Sequence, residues 1–196
     1  MAEGRYTFSI MGGRYKGKRL QMPATSGTRP TKSIIRGSLF DTLQNSIIDT
    51  LFVEVFGGSG SVGLEALSRG ARKVWFLERE REALRTLEQN CALLDARRTE
   101  LLRGDSFSLY PSLMQRLAEE GQAAFIYLDP PFSIREGMED IYKKMIRLIE
   151  TTPPEAVLKI IVEHMSKLSL PEAIGPYRRG KSKKFGKSAL TYYEVV

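Results

Sequence analysis

Apolar residues recur along this chain with two different periods, and the switches between them outline the fold. Apolar runs of strand length fall at Leu51-Phe52-Val53-Glu54-Val55-Phe56, Lys73-Val74-Trp75-Phe76-Leu77-Glu78, Phe125-Ile126-Tyr127-Leu128 and Val157 to His164, with a shorter one at Glu100-Leu101-Leu102-Arg103. Such unbroken runs suit strands covered on both faces. Between them the spacing lengthens to that of a helix. Leu84, Leu87, Cys91 and Leu94 predict a helix from Glu80 to Asp95, Phe107 to Glu120 a second, and Met138, Ile141, Met145 and Leu148 a third over about Glu136 to Glu150. Strand and helix in alternation predict a doubly wound α/β sheet with its ligands at the C-terminal edge.

The two ends follow a different pattern. Tyr6 to Met11 and Lys18 to Met22 are short extended segments around Gly12-Gly13-Arg14-Tyr15-Lys16-Gly17, which predicts a hairpin arm with Arg14, Lys16, Lys18 and Arg19 turned outward. Lys32 to Gln44 is an amphipathic helix with Ile35, Leu39 and Leu43 on its apolar stripe and Ile34 and Phe40 beside them. Pro30 suits its start, and Arg29, Lys32 and Arg36 are expected off the stripe, where they could meet phosphates or only water. At the tail, Tyr177 to Phe185 and Ser188 to Val195 flank Gly186 as a basic hairpin at the sheet edge. The expected division is an N-terminal basic extension over 1–48 and a nucleotide-binding core over 49–196.

Charge sharpens this division. The net charge is +7, but residues 1–40 hold eight basic side chains against Glu3 alone and residues 176–196 hold six against Glu194 alone, so the middle is acidic. Basic ends interleaved with Tyr, Phe, Gly and Ser suit a polyanion, although a solvated basic face has the same composition. One cysteine and one histidine exclude an internal disulfide and leave too few ligands for a soft metal cluster, so no metal is expected. No apolar run reaches bilayer length, and Met1 to Arg5 does not open a secretory leader. A cytoplasmic protein with no membrane partner is expected.

Candidate chemistry collects where strands end. The first strand runs into Gly57-Gly58-Ser59-Gly60-Ser61-Val62-Gly63, in which Gly58, Gly60 and Gly63 fit the G-x-G-x-x-G turn that lets backbone approach a nucleotide. Glu78 closes the next strand, where it could accept the two hydroxyls of a ribose or cap the helix after it. Asp105 follows the short strand and could accept from an adenine amine or cap its own helix. A dinucleotide would set its pyrophosphate on the glycine turn, whereas Glu54 just before that turn favours a cation such as the sulfonium of S-adenosylmethionine.

The most specific stretch is Leu128-Asp129-Pro130-Pro131-Phe132. Two prolines stop both helix and sheet, so the Pro130 carbonyl is stiffly held and free of strand pairing. A carboxylate, a fixed carbonyl and a ring form a socket for a planar group bearing an NH2, although a surface turn after a buried strand would read the same.

These motifs, with Gly13-Arg14-Tyr15-Lys16-Gly17, Arg29-Pro30-Thr31, Val55-Phe56-Gly57-Gly58-Ser59-Gly60, Gly63-Leu64-Glu65-Ala66-Leu67-Ser68-Arg69-Gly70-Ala71, Val162-Glu163-His164 and Phe185-Gly186-Lys187-Ser188-Ala189-Leu190-Thr191, span nearly the whole chain. Together they resemble the RsmD family of methyltransferases. The resemblance implies a Rossmann-like class I fold with a seven-stranded sheet, S-adenosylmethionine as cofactor, and transfer to the exocyclic N2 of a guanine in 16S ribosomal RNA. It also implies an assembling 30S subunit as partner and a monomeric enzyme. Glu54 stands where the family has Asp, Gly57 where it has Ala, and Phe185-Gly186-Lys187-Ser188 where it has Tyr-Gly-Asp-Thr.

The expected catalytic residues are Asp129, Pro130, Pro131 and Phe132. The expected cofactor residues are Glu54, Phe56, Gly58, Ser59, Gly60, Glu78, Arg79, Asp105, Ser106 and Asp129, and the expected RNA contacts are Arg14, Lys16, Lys18, Arg29, Lys32, Arg36, Lys183 and Lys184. Cys91 reads as a core residue and His164 as structural, which disfavours cytosine C5 chemistry. Two other functions share these residues: a DNA adenine or cytosine amino-methyltransferase, and a non-catalytic RNA-binding assembly factor with a vestigial cofactor site.

Overall fold

In the computed structural model the described residues are 6–23, 33–130 and 140–196. The first hairpin pairs β1 (Thr7–Ser9) with β2 (Arg19–Gln21), and α1 (Ser33–Leu43) follows, ending in a 3-10 turn over Gln44–Ile47. The core then alternates through β3 (Leu51–Glu54), α2 (Ser61–Ser68), β4 (Lys73–Glu78), α3 (Arg81–Leu94), β5 (Thr99–Arg103), α4 (Ser106–Glu119), β6 (Ala124–Leu128), α5 (Ile141–Glu150) and β7 (Val157–Met165). Three strands close the chain: β8 (Ala173–Ile174), β9 (Tyr177–Phe185) and β10 (Ser188–Val195).

The strands form one eight-stranded sheet in the order β5-β4-β3-β6-β7-β10-β9-β8. The first five are parallel; β10 then runs antiparallel beside β7, and β9 antiparallel beside β10. Seven strands are the expected ones. The eighth is the two-residue β8, which pairs only through Ala173 and Ile174 and is too short to show a period. The order of strands reverses between β3 and β6, where an open α/β sheet leaves its ligand crevice at the carboxyl ends.

The sheet is covered on both faces. On one side Phe52, Phe76, Phe125, Tyr127 and Ile161 meet α1, α2, α3 and the first hairpin, whose Phe8, Ile10 and Leu20 are buried in the same cluster. On the other side Val53, Trp75, Ile126, Ile160 and Tyr193 meet α4 and α5. This two-sided burial is why β3 and β6 lack a polar face.

Two expectations about the N-terminal region change. The hairpin does not stand away from the body as an arm. The Met11 and Gly12 amides donate to the Glu65 carboxylate at 2.8 Å each, Arg14 N donates to the Ser68 carbonyl at 2.7 Å, and Tyr15 N donates to Ser68 Oγ at 2.9 Å. On α1 the stripe of Ile35, Leu39 and Leu43 is buried as expected, but two residues beside it are not where they were expected. Ile34 is 65% exposed, whereas Arg36 is 2% exposed and lies one turn before Phe40 on the buried side. Arg36 donates to the Ser9 carbonyl at 2.7 Å and approaches Glu65 at 3.7 Å, so the packing of hairpin against helix removes it from solvent.

Candidate active site

The turn after β3 is built by glycine. Gly58 and Gly60 have φ of +51° and +73°, which a side chain would strain, and Gly57 N donates to the Leu77 carbonyl at 2.8 Å, tying the turn to β4. A Cβ on Gly58 would meet no heavy atom within 4 Å, so that glycine leaves open backbone. Helix α2 starts from this turn with all eight of its residues buried.

Carboxylates surround the turn. Glu54, at the end of β3, is 4% exposed and accepts from Gly63 N at 2.7 Å, beneath the start of α2. Burial pushes its carboxyl up to about 8, against the opposing pull of the Gly63 and Val62 amides and the Arg36 charge. Glu78, at the end of β4, accepts from Gly58 N through one oxygen and from the Arg79 and Glu80 amides through the other, all at 2.8 Å. It does not cap α3; Glu80 does, accepting from Ala83 N at 2.6 Å. Glu78 Oε2, which takes the Gly58 amide alone, keeps lone-pair capacity, whereas Oε1 is filled by its two amides.

Asp105 caps α4, accepting from Ser108 N at 3.1 Å through Oδ2, while Oδ1 lies 4.0 Å from the exposed Arg79 guanidinium. Buried Ser106 donates to the Leu77 carbonyl at 3.5 Å, and the half-buried Phe56 and Phe107 rings meet edge to face at 5.5 Å. Ser59 and Gly60 are buried in the turn, where Asn90 donates to the Ser59 carbonyl at 3.2 Å and binds Gln21 through both its amide groups.

Asp129 follows β6 directly. Its Oδ1 is buried without a hydrogen-bond partner, and burial together with the Glu163 and Glu54 charges raises its carboxyl well above the usual range. Pro130 is buried beside it. Pro131 and Phe132, the rest of the expected socket, lie outside the described residues, as do Arg29 and Lys32.

Glu163 received no role from the sequence, and the structure draws attention to it. It is 4% exposed, and Tyr127 donates its hydroxyl to Glu163 Oε2 at 2.5 Å. A carboxylate among the apolar residues of β7 was the available signal. Glu65 was missed in the same way, as an acid inside a wholly buried helix. His164 Nδ1 faces the Met165 carbonyl at 2.9 Å and so carries the ring proton, leaving Nε2 to accept from Thr191 at 2.8 Å. A neutral structural imidazole is the result, and burial lowers its pKa.

The basic residues separate into two groups. Arg14, Lys16, Lys18 and Lys184 are exposed. The hairpin turn sits at the C-terminal end of α2, a helix of eight residues, so its cations lie ~10 Å along that axis from the glycine turn. Lys183 instead donates to Ser38 Oγ at 3.1 Å and Thr42 Oγ1 at 3.2 Å, linking the tail hairpin to α1.

An acid-ringed glycine turn to which no Lys or Arg among the described residues is bonded suits a cationic nucleoside better than a pyrophosphate. The fold and this donor set define a Rossmann-like, S-adenosylmethionine-dependent class of methyltransferase. A structure of the SAM-dependent methyltransferase from Agrobacterium tumefaciens has the same fold, with a TM-score of 0.65 at 14% identity over 99% of this chain and 71% of that one.

The family described as Conserved hypothetical protein 95 matches residues 8–194, and the chain belongs to it, the RsmD family of methyltransferases. The chain is 31% identical over 189 residues to ribosomal RNA small subunit methyltransferase D of Escherichia coli K12, covering 94% of this chain and 88% of that one. A structure from E. coli described as a candidate methyltransferase, yhhF, aligns with a TM-score of 0.76 at 28% identity, covering 97% of this chain and 98% of that one.

Proposed function

We propose that this enzyme methylates the exocyclic N2 of a guanine in small-subunit (16S) ribosomal RNA, with S-adenosylmethionine as methyl donor. The observation that carries the reading is the Asp129 corner: a buried carboxylate oxygen with no partner, next to a proline-fixed backbone and on the same sheet edge as the glycine turn. The relative from E. coli K12 is named for small-subunit ribosomal RNA, which supports the substrate.

Glu54, Gly58, Gly60, Glu78 and Asp105 would hold the donor, with Phe56, Ser59, Arg79 and Ser106 completing the walls. When bound it supplies a methyl group on a positively charged sulfur. Asp129 and the Pro130 carbonyl accept the two amine hydrogens of a base drawn out of its stack, which costs a few kcal/mol, and Phe132 offers the ring on which that base rests. Those bonds localise the nitrogen lone pair and hold it in line for attack. Pro131 keeps the corner rigid.

Arg14, Lys16, Lys18 and Lys184 contact RNA phosphates, and Arg29 and Lys32 are further candidates for such contacts. Lys183 and Arg36 are different: their contacts with α1 and the hairpin give them a structural part. The protein works in the cytoplasm as a monomer, on assembling 30S particles. Among the described residues no helix is long and apolar enough to cross a membrane.

Radiolabelled S-adenosylmethionine incubated with small-subunit particles, naked 16S RNA and duplex DNA tests this reading. Label in RNA that digests to N2-methylguanosine is expected. Label in DNA alone, or none under conditions where the cofactor binds, refutes it.

A further inference from the structure

Three acids share one face of the sheet at the cleft. Leu128 of β6 lies opposite Val162 of β7 in a parallel pair, so one step further along both strands Asp129 and Glu163 lie side by side, with backbones ~4.8 Å apart. Tyr127, two residues before Asp129 and therefore on the same face, donates to Glu163 Oε2. On the other flank Glu54 of β3 lies opposite Tyr127, so its side chain also points to this face.

Among the described residues the positive charges near this face have other partners. Arg36 of α1 is bonded to the Ser9 carbonyl and leans on Glu65 of α2, and Arg69 of α2 donates to Glu65 at 2.7 Å. Glu78 at the end of β4 adds another negative group toward Glu54, and the Tyr142 phenol of α5 is kept neutral, pushed up to about 12 by burial and by the Asp129 and Glu163 charges. Among the described residues carboxyl groups outnumber cations where Asp129 Oδ1 is buried and unpartnered.

Resting on the cofactor reading above, we infer that Glu163 is a positioning residue acting through Asp129: the two carboxyls hold a proton between them in the free enzyme and release it when a sulfonium enters the cleft. Two adjacent buried carboxyls do not ionise together cheaply, and an entering cation removes that penalty. Tyr127 holds Glu163 in place by its hydroxyl. Burial and the Glu163 and Glu54 charges, which raise the Asp129 carboxyl, agree with a retained proton.

The release has a chemical consequence. Methyl transfer forms an N–CH3 bond and breaks the S–CH3 bond, which moves the positive charge from sulfur to nitrogen. The Asp129–Glu163 pair, now ionised, is the adjacent base for the proton that the methylated amine sheds, and the departing thioether is neutral. The pair thus returns to its starting proton count with each turnover.

Calorimetric titration in buffers of different ionisation enthalpy counts protons released on binding. S-adenosylmethionine and S-adenosylhomocysteine share every group except the methyl and its charge, so their difference isolates the sulfonium. The wild-type protein is expected to release about one proton more with S-adenosylmethionine than with S-adenosylhomocysteine near neutral pH, with affinity for the former rising up to about tenfold per pH unit while the pair titrates. In Glu163→Gln the extra proton disappears while S-adenosylhomocysteine still binds. Equal release with both ligands in wild type overturns the inference without needing the variant, as does undiminished release in Glu163→Gln. Absence of binding by either ligand removes the cofactor reading itself, and this inference with it.

Discussion

Glu78 accepts a hydrogen bond from the amide of Gly58, 20 positions earlier in the chain, at 2.8 Å. That bond makes the end of β4 and the turn after β3 one unit, and the same carboxylate also takes the Arg79 and Glu80 amides. Removing it leaves three N–H groups to find water. Glu78→Ala is expected to weaken S-adenosylhomocysteine binding by at least about tenfold and to lower stability by about 1–3 kcal/mol, measured by calorimetry and urea unfolding. Unchanged affinity would remove Glu78 from the cofactor site.

Glu65 joins hairpin to body. It is wholly buried, accepts from Met11 N, Gly12 N and Arg69 Nε, and faces Arg36 at 3.7 Å. Glu65→Ala leaves a buried guanidinium without its counter-charge. A loss of about 3–5 kcal/mol is expected, with new proteolytic cleavage between Arg14 and Arg19, visible by mass spectrometry of limited digests.

The hairpin turn offers a finer comparison. Gly13 has φ +76° and a Cβ there would lie 1.9 Å from the Ser68 carbonyl oxygen, whereas Gly17 has φ +84° and its Cβ would meet nothing within 4 Å. Both alanine substitutions carry the left-handed backbone cost of roughly 1–2 kcal/mol, but only Gly13→Ala also breaks the docking. Thermal melts should rank Gly13→Ala clearly below Gly17→Ala, and an equal effect would mean that the turn does not press on α2.

Glu54 gives a pH signature. Its carboxyl is pushed up to about 8 in the fold from an ordinary 4.5, so between those values the native state binds more protons than the unfolded chain. Stability therefore falls as pH rises through this window, by up to about 1.4 kcal/mol per unit. Asp129 contributes with the same sign, and His164, whose pKa is lowered from 6.5, with the opposite sign below that pH. Urea midpoints from pH 6.5 to 8 should fall in wild type and fall less steeply in Glu54→Gln. A parallel pair of slopes would contradict the buried, protonated Glu54.

The strands and helices could be read from sequence where apolar period and length agreed. Lys73–Glu78, Tyr177–Phe185 and Ser188–Val195 have the expected bounds, and Ser33–Leu43 and Arg81–Leu94 lie within a residue or two of theirs. Arg36 was not read correctly because it borders the stripe, and only the docked hairpin decides that it faces inward. The cluster of Asp129 and Glu163 was hidden for a similar reason. Strand-end acids are visible one at a time, but their alignment depends on the pairing of β6 with β7, which local sequence does not encode.

The most direct measurement of the central claim is single-turnover methyl transfer to small-subunit particles by Asp129→Ala, with the cofactor saturating and the fold checked by its melt. If Asp129 orients the amine, the rate falls by at least about 100-fold while S-adenosylhomocysteine still binds. A rate within about twofold of wild type would contradict the account.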